Sequence, residues 1–267
     1  MALVELVSVS KSYARRAGWR TEMRPVVEDV SFTIQAGETL GLVGESGSGK
    51  TTVARMILGL VTPTAGSVRV DGVDVARASA AEMHRLRREM QPVFQDPFAA
   101  LNPRMRVLNI VAEPWAIHRE DAQSPRGSAA RRAAAVRLLQ SVGLDESALE
   151  RYPHEFSGGQ RQRINIARAL ALKPKLLILD EPVSALDVSV GAQIVNLLRE
   201  LQREHGLTYL FISHSMPLVR YLSTRIAVMA HGRLVETGEA ETLCAAPREA
   251  YTRQLIEATP ELSAGAA

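Results

Sequence analysis

Residues 39–51 set a short aliphatic strand directly against a glycine-rich loop. Thr39 to Val43 reads as a buried strand, and Gly44-Glu45-Ser46-Gly47-Ser48-Gly49-Lys50-Thr51 follows without a spacer. The loop matches G-x-x-x-x-G-K-[ST] in full and sits in the context that pattern requires, after a strand and ahead of a helix read over Val53–Leu60. Glycines let backbone N–H groups converge on phosphate oxygens without obstruction by Cβ atoms. The helix that follows adds its positive end. Lys50 is placed to reach the β- and γ-phosphates, and Thr51 to ligate Mg²⁺. A chance Gly/Ser-rich turn would not need a strand before it and a helix after it.

A chain of 267 residues is long enough for one large domain or two small ones. Hydrophobic residues make up 46% of it and aromatics only 4%, so aliphatic side chains must fill the core. That favours an α/β fold with Val/Ile/Leu strands. A net charge of +3 is too weak to argue for a nucleic-acid partner, and none is expected. Lysine occurs only at Lys11, Lys50, Lys173 and Lys175; the rest of the basic charge is Arg, which reads as compositional bias. The single cysteine, Cys244, excludes an intrachain disulfide and any multi-cysteine metal site, and fits a reducing cytoplasm. Glu5 falls where a signal peptide needs an apolar run, and no stretch approaches the ~18 apolar residues of a membrane span. A soluble or peripheral protein is expected, with any membrane passage left to a partner.

Along the chain, Val4 to Val9 reads as a strand, followed by a polar, Arg-rich loop through Trp19 and Arg24 and a second strand over Val30–Ile34. Gly66 to Gly72 reads as a short strand and turn. From about Asp96 to Gln160 the texture changes. Prolines punctuate it, His118–Ser128 is polar, and Val136, Leu139 and Val142 recur at helical spacing within Ala133–Leu144. This region is expected to be a mainly helical insert in the α/β core. A helix over Arg161–Leu172, a strand over Leu176–Leu179, a helix over Val190–His205 closed by Gly206, and strands over Leu207–Ile212 and Ile226–Met229 restore the core. A turn is read at His231-Gly232. The tail from about Gly238 reads as helix and fades into small and polar residues over Thr259–Ala267.

Two further elements carry chemistry. The aliphatic strand Leu176–Leu179 ends in Asp180-Glu181. A lone acid after a strand is usually a helix cap. Two acids there, in a chain with a phosphate loop, read as a magnesium site: Asp180 to hold the ion through water and Glu181 to polarise the attacking water. His214 follows the strand ending at Ile212, where α/β sheets place ligands, and is a candidate γ-phosphate contact. Gln95 follows Pro92-Val93-Phe94, though nothing in the composition prefers it to Gln91. Tyr13 is either an adenine-stacking ring or an ordinary strand-end tyrosine.

The second element is Phe156-Ser157-Gly158-Gly159-Gln160. A hydroxyl, two bare amides and a helix N-terminus make a second anion site. One nucleotide does not fully engage two such sites in one compact subunit. The economical reading is that residues 157–160 meet the γ-phosphate held by another subunit, so that a two-fold pair makes two shared sites.

Taken together, Gly44–Thr51, Gln95, Phe156–Gln160, Leu176–Glu181, Ser184-Ala185-Leu186-Asp187 and His214 resemble the ATP-binding subunit of ABC transporters. They match the Walker A, Q-loop, signature, Walker B, D-loop and switch-histidine elements in turn, and Tyr13 falls at the A-loop position. The resemblance runs from about Leu3 to Leu255; Phe156 stands where Leu is commoner. It implies an α/β P-loop NTPase core, RecA-like, with an antiparallel β subdomain and an inserted α-helical subdomain. The ATPase domain would span residues 1–240, with the helical insert at about 96–160 and a C-terminal extension over 241–267. It also implies ATP and Mg²⁺ as the bound groups. Catalysis would fall to Glu181, His214, Gln95 and Lys50. The nucleotide would be held by Tyr13, Gly44, Glu45, Ser46, Gly47, Ser48, Gly49, Lys50, Thr51, Thr52 and Gln95. Ser157, Gly158, Gly159, Gln160 and Asp187 would complete that set, and Thr51, Gln95 and Asp180 would hold the metal.

Finer features narrow the branch. Phe94-Gln95-Asp96-Pro97, Leu101-Asn102-Pro103-Arg104-Met105 and Tyr152-Pro153-His154-Glu155-Phe156 look like the oligopeptide/dipeptide/nickel importers. Arg104-Met105 and Glu113-Pro114 look more like the second of the two ATPase subunits in that branch. The tail around Tyr251-Thr252-Arg253 resembles the C-terminal motif of the branch but departs from it at Glu249-Ala250, where His-Pro is usual. Cys244 alone cannot form the cysteine cluster some members carry there. The resemblance implies a peripheral subunit on the cytoplasmic face of a bacterial inner membrane. Its partners would be a second ATPase subunit or a second copy of itself, two transmembrane permease subunits and, indirectly, a solute-binding protein. The competing reading is a soluble ATPase component of a multienzyme complex, such as one for phosphonate breakdown. A translation-factor type usually has two cassettes and a repair type long coiled coils, and this chain has neither. A degenerate, non-hydrolysing partner is disfavoured by Glu181 and His214.

Overall fold

The computed structural model describes residues 2–17, 20–119 and 124–258. It resolves into two compact units: residues up to His84 together with those from Thr208, and Arg85–Leu207.

The first unit opens with β1 (Ala2–Ala17) and β2 (Arg20–Gln35), paired antiparallel from Ala2↔Gln35 to Ala17↔Arg20. The Arg-rich stretch expected as a loop is therefore paired backbone on both arms; Trp19 lies outside the described residues. Val4 and Leu6 are buried while Val7 is exposed, the period-2 pattern of a half-buried strand. The period then slips, so that Val9 is buried. At the slip Ser8 takes φ 48, and the register shifts between Leu6 and Val9. The opposing Gly66 needs to be glycine, since a Cβ there would lie 2.3 Å from the Ser8 carbonyl oxygen. β3 (Thr39–Val43) is buried at every position, and α1 (Lys50–Ile57) leaves the loop that follows it. β4 (Ala65–Val70) and β5 (Val73–Asp74) complete an antiparallel sheet in the order β2-β1-β4-β5. They are joined by Asp71 (φ 47) and Gly72 (φ 77), the double positive φ of a two-residue hairpin turn. α2 (Ala80–Glu89) carries the chain out of this unit.

In the second unit β6 (Met90–Val93) is joined by the short helices and turns of the central region: α3 (Pro97–Ala100), α4 (Val107–Ile117) and α5 (Ser128–Ser141). Residues 120–123 of the polar stretch lie outside the described residues. α5 begins five residues before the expected start, because its Ser-Ala-Ala-Arg-Arg-Ala-Ala-Ala opening is helical by propensity rather than by an apolar stripe. α6 (Gly158–Leu170) packs against α3, α4 and α5. Two hydrogen bonds fix it there: Trp115 Nε1 donates to the Ala171 carbonyl at 2.7 Å, and the half-buried Arg168 guanidinium donates to the Ala100 carbonyl at 2.7 Å. β7 (Leu176–Asp180) pairs parallel with β6, Met90↔Leu176 to Val93↔Leu179. α7 (Val188–His205) ends at Gly206 in the left-handed region, as expected of a glycine there.

Back in the first unit, β8 (Thr208–Ser213), α8 (Met216–Leu222), β9 (Arg225–Ala230), β10 (Arg233–Glu239), α9 (Ala240–Ala245) and α10 (Ala250–Glu257) follow. β3 lies between β8 and β9, parallel to both, and β10 is antiparallel to β9. β9 and β10 turn at His231 (φ 49) and Gly232 (φ 83), the expected turn; the strand beyond it, β10, has no counterpart in the sequence reading, which begins the helical tail at about Gly238. α8 lies so close on β3 that a Cβ at Gly41 would come within 2.3 Å of Val219 Cγ1. Parallel strands with helices, beside an antiparallel sheet, are the α/β architecture expected from the sequence. Among the described residues no helix is long and apolar enough to cross a membrane.

Candidate nucleotide-binding site

The phosphate loop leaves the C-terminal end of β3 and turns through three glycines with positive φ: Gly44 at 147, Gly47 at 82 and Gly49 at 106. At Gly44 a Cβ would strike the Met229 carbonyl oxygen at 2.1 Å, and at Gly49 the Val26 carbonyl oxygen at 2.8 Å. Backbone atoms cannot swing aside, so these two positions admit only glycine. Gly49 is the N-cap of α1, and no side chain caps that helix start. The N–H groups of its first turn have no intrahelical acceptor. Lys50 is 5% exposed, with its Nζ donating to the Gly44 and Glu45 carbonyls at 2.7 and 2.8 Å and to Ser48 Oγ at 3.2 Å. These neutral acceptors can be exchanged for charged phosphate oxygens, which bind an ammonium more strongly. Thr51 and Thr52 sit in the first turn of α1.

Val43 pairs with Ser213, so Gly44 and His214 leave adjacent parallel strands side by side. His214 is exposed, and the turn after it is set by Ser213 Oγ, which accepts from the Ser215 N–H at 3.1 Å. Tyr13 is not at a strand end: β1 runs on to Ala17, with Tyr13 opposite Arg24. Its ring is 39% exposed, and Lys11 Nζ lies 5.1 Å from the ring centroid.

In the second unit Val93 pairs with Leu179, so Gln95 and Asp180-Glu181 leave the β6–β7 pair at the same end. Gln91 donates to the Arg87 carbonyl from within β6, whereas Gln95 is exposed beyond it; the geometry separates the two glutamines that composition could not. Glu181 has φ 49, a left-handed conformation that costs a non-glycine residue about 1–2 kcal/mol. Its neighbours hold that conformation. Ser184 donates to the Glu181 carbonyl from both N and Oγ, at 3.3 and 3.1 Å, and the fully buried Gln162 donates to the Pro182 carbonyl at 2.8 Å. Strain that the surroundings maintain in this way is a mark of functional turns. Gln162 escaped the sequence reading, because a buried amide leaves no periodic signal; Ser184 entered it only as part of the element at residues 184–187.

Ser157 is the N-cap of α6. Its Oγ accepts from the Gln160 N–H at 3.3 Å and Gln160 Oε1 accepts from the Ser157 N–H at 3.0 Å, a reciprocal capping box. Gly159 is buried against α7, where a Cβ would lie 2.3 Å from Val190 Cγ1. Gly158 is half-exposed and meets only the tip of Leu186, at 3.1 Å. Asp187 caps α7, accepting from the Val190 N–H at 2.9 Å.

A parallel-stranded core with an uncapped helix start behind a glycine loop defines a P-loop ATPase. A match to the ABC transporter family covers residues 27–184. The oligopeptide transport ATP-binding protein OppF of Bacillus subtilis is 52% identical over 235 residues, 88% of this chain and 76% of that protein. OppF of Streptococcus mutans is 47% identical, over 97% of this chain and 82% of that protein. Among solved structures, the dimeric post-hydrolysis state of the ATP-binding cassette MJ0796 with ADP and Pi aligns with a TM-score of 0.77 and 32% identity, over 89% of this chain and 98% of that one. The chain belongs to the ABC transporter family, and its fold is that of an ABC ATPase.

Proposed function

We propose that this chain is the ATP-hydrolysing subunit of a bacterial importer, driving uptake of a peptide or related small solute through partner membrane subunits. The observation that carries this reading is the open, glycine-built helix start of α1 with Lys50 folded against it, in a chain about half identical to OppF over most of its length. The residues present fit a nucleoside triphosphate: uncapped N–H groups and a buried ammonium meet the phosphates, and Tyr13 offers an exposed ring for the base.

Lys50 binds phosphate oxygens, and Glu181 orients and deprotonates the attacking water. Gln95 and His214 contact that water and the γ-phosphate, while Ser157 to Gln160 and Asp187 serve a nucleotide held mainly by another subunit. Mg²⁺, when bound, would offset the charge of the phosphates; Thr51, Gln95 and Asp180 are the residues suited to hold it. Residues 96–160 form the helical subdomain that docks on the membrane subunits, and 241–267 the C-terminal extension. The subunit works as a pair, with a second ATPase or a second copy, peripheral to the inner membrane.

Affinity purification of the full chain from detergent-solubilised membranes tests this. Two polytopic membrane proteins and a second ATPase are expected to copurify. Recovery from the soluble fraction with lyase subunits instead would replace the importer with the multienzyme reading.

A further inference from the structure

Tyr251 ties the C-terminal helix to the phosphate loop. Its phenol oxygen accepts a hydrogen bond from the Glu45 backbone N–H at 3.0 Å, across 206 residues of chain. The opposite pole of the same peptide, the Gly44 carbonyl, accepts from Lys50 Nζ at 2.7 Å. A phenol and an ammonium thus grip the two ends of one planar amide, and turning that plane loosens both contacts. The hold has work to do because the plane is hinged on a glycine. Without a Cβ, Gly44 confines the rotation of the peptide that follows it far less than another residue would.

α10 has its own anchor. Glu236 on β10 accepts the N–H groups of Arg248 and Glu249 at 2.9 and 3.2 Å, just ahead of α10. Thr252, one residue past Tyr251, is fully buried, and its hydroxyl approaches Glu236 without strict hydrogen-bond geometry. The helix is therefore seated on β10 independently of the loop that Tyr251 reaches.

We infer that Tyr251 is a positioning residue for nucleotide binding. It fixes the Gly44–Glu45 peptide of the loop, so that the seating of α10 sets the affinity of the loop. This rests on the reading of Gly44–Thr51 as the nucleotide site. A loop fixed before the ligand arrives loses less freedom on binding, so releasing it weakens affinity.

The test is Tyr251→Phe in the full chain, which keeps the ring and removes the acceptor. ATP affinity by calorimetry and steady-state ATPase kinetics are the readouts. Kd and KM for ATP are expected to rise about three- to tenfold, the worth of one net hydrogen bond, with kcat unchanged to within about twofold. The thermal midpoint should hold, because the ring still packs. Glu236→Gln, which loosens the seat of α10 and leaves the phenol intact, is expected to weaken ATP binding in the same direction. A lowered thermal midpoint with unchanged ATP affinity in Tyr251→Phe would mean a purely structural tyrosine and would overturn the inference. Unchanged affinity in Glu236→Gln alone would overturn the role of the helix seat. A wild-type chain that binds no ATP would overturn the phosphate-loop reading and the inference with it, whereas tight wild-type binding beside an unaffected Tyr251→Phe overturns the inference alone.

Discussion

The chain has two glycine-rich helix starts, built on opposite plans. In the phosphate loop, glycine makes the conformation: Gly44, Gly47 and Gly49 all have positive φ, and α1 begins with no side-chain cap. At residues 157–160, glycine makes room: neither Gly158 nor Gly159 has a positive φ, and Ser157 and Gln160 close a capping box over the start of α6. In the first arrangement no side chain caps the helix start. The second spends part of its donors on its own cap and leaves a half-exposed glycine at the surface. The first plan suits an anion cradle, and the second suits a half-site completed by something brought to it.

Freezing the nucleotide in place sharpens that contrast most. Glu181→Gln keeps the shape of the side chain and removes the base, so turnover is expected to fall by about 10²–10⁴-fold with ATP still bound. Lys50→Ala is expected to strike binding itself, because it removes a direct charge contact to the phosphates. Calorimetry and ATPase assays on the two variants separate the roles. Near-normal turnover in Glu181→Gln, or undiminished ATP affinity in Lys50→Ala, would break the assignment concerned.

The paired glycines give a smaller and more discriminating effect. Gly159→Ala forces a methyl into the stiff, branched Val190 side chain and is expected to cost about 1–3 kcal/mol of stability, read as a lowered thermal midpoint. Gly158→Ala meets only a movable leucine tip, so the midpoint should hold while turnover falls, because the added methyl stands where a partner's nucleotide must approach. A Gly158→Ala protein with both stability and turnover intact would leave the half-site without support.

What could be read from the sequence follows from how local each signal is. The phosphate loop, Asp180-Glu181 and the turn at His231-Gly232 are written in consecutive residues, and all lie at the strand ends expected of them. The β1–β2 arms through Arg15 to Arg24 were read as loop because charged residues interrupt the apolar alternation there, although the backbone pairs to Ala17↔Arg20. β10 was missed because it flanks the sheet with a half-exposed pattern, and α8 because Pro217 reads as a breaker although it sits in the first turn, where proline is tolerated. Gln162 under Pro182 and Tyr251 on Glu45 were beyond reach. Each joins distant residues through a single hydrogen bond, and periodicity carries no trace of such a contact.

The central claim is that residues 157–160 serve a nucleotide bound to another subunit. Crosslinking tests it most directly, with Ser46→Cys and Ser157→Cys placed in a Cys244→Ser background. The native thiol is half-buried, and burial raises its pKa, but its removal leaves only the two reporters. In the Glu181→Gln chain with ATP, the two cysteines are expected to join different chains, as a dimer-sized band that fades when nucleotide is withheld. Crosslinks confined to single chains, or equal with and without ATP, would contradict the shared site.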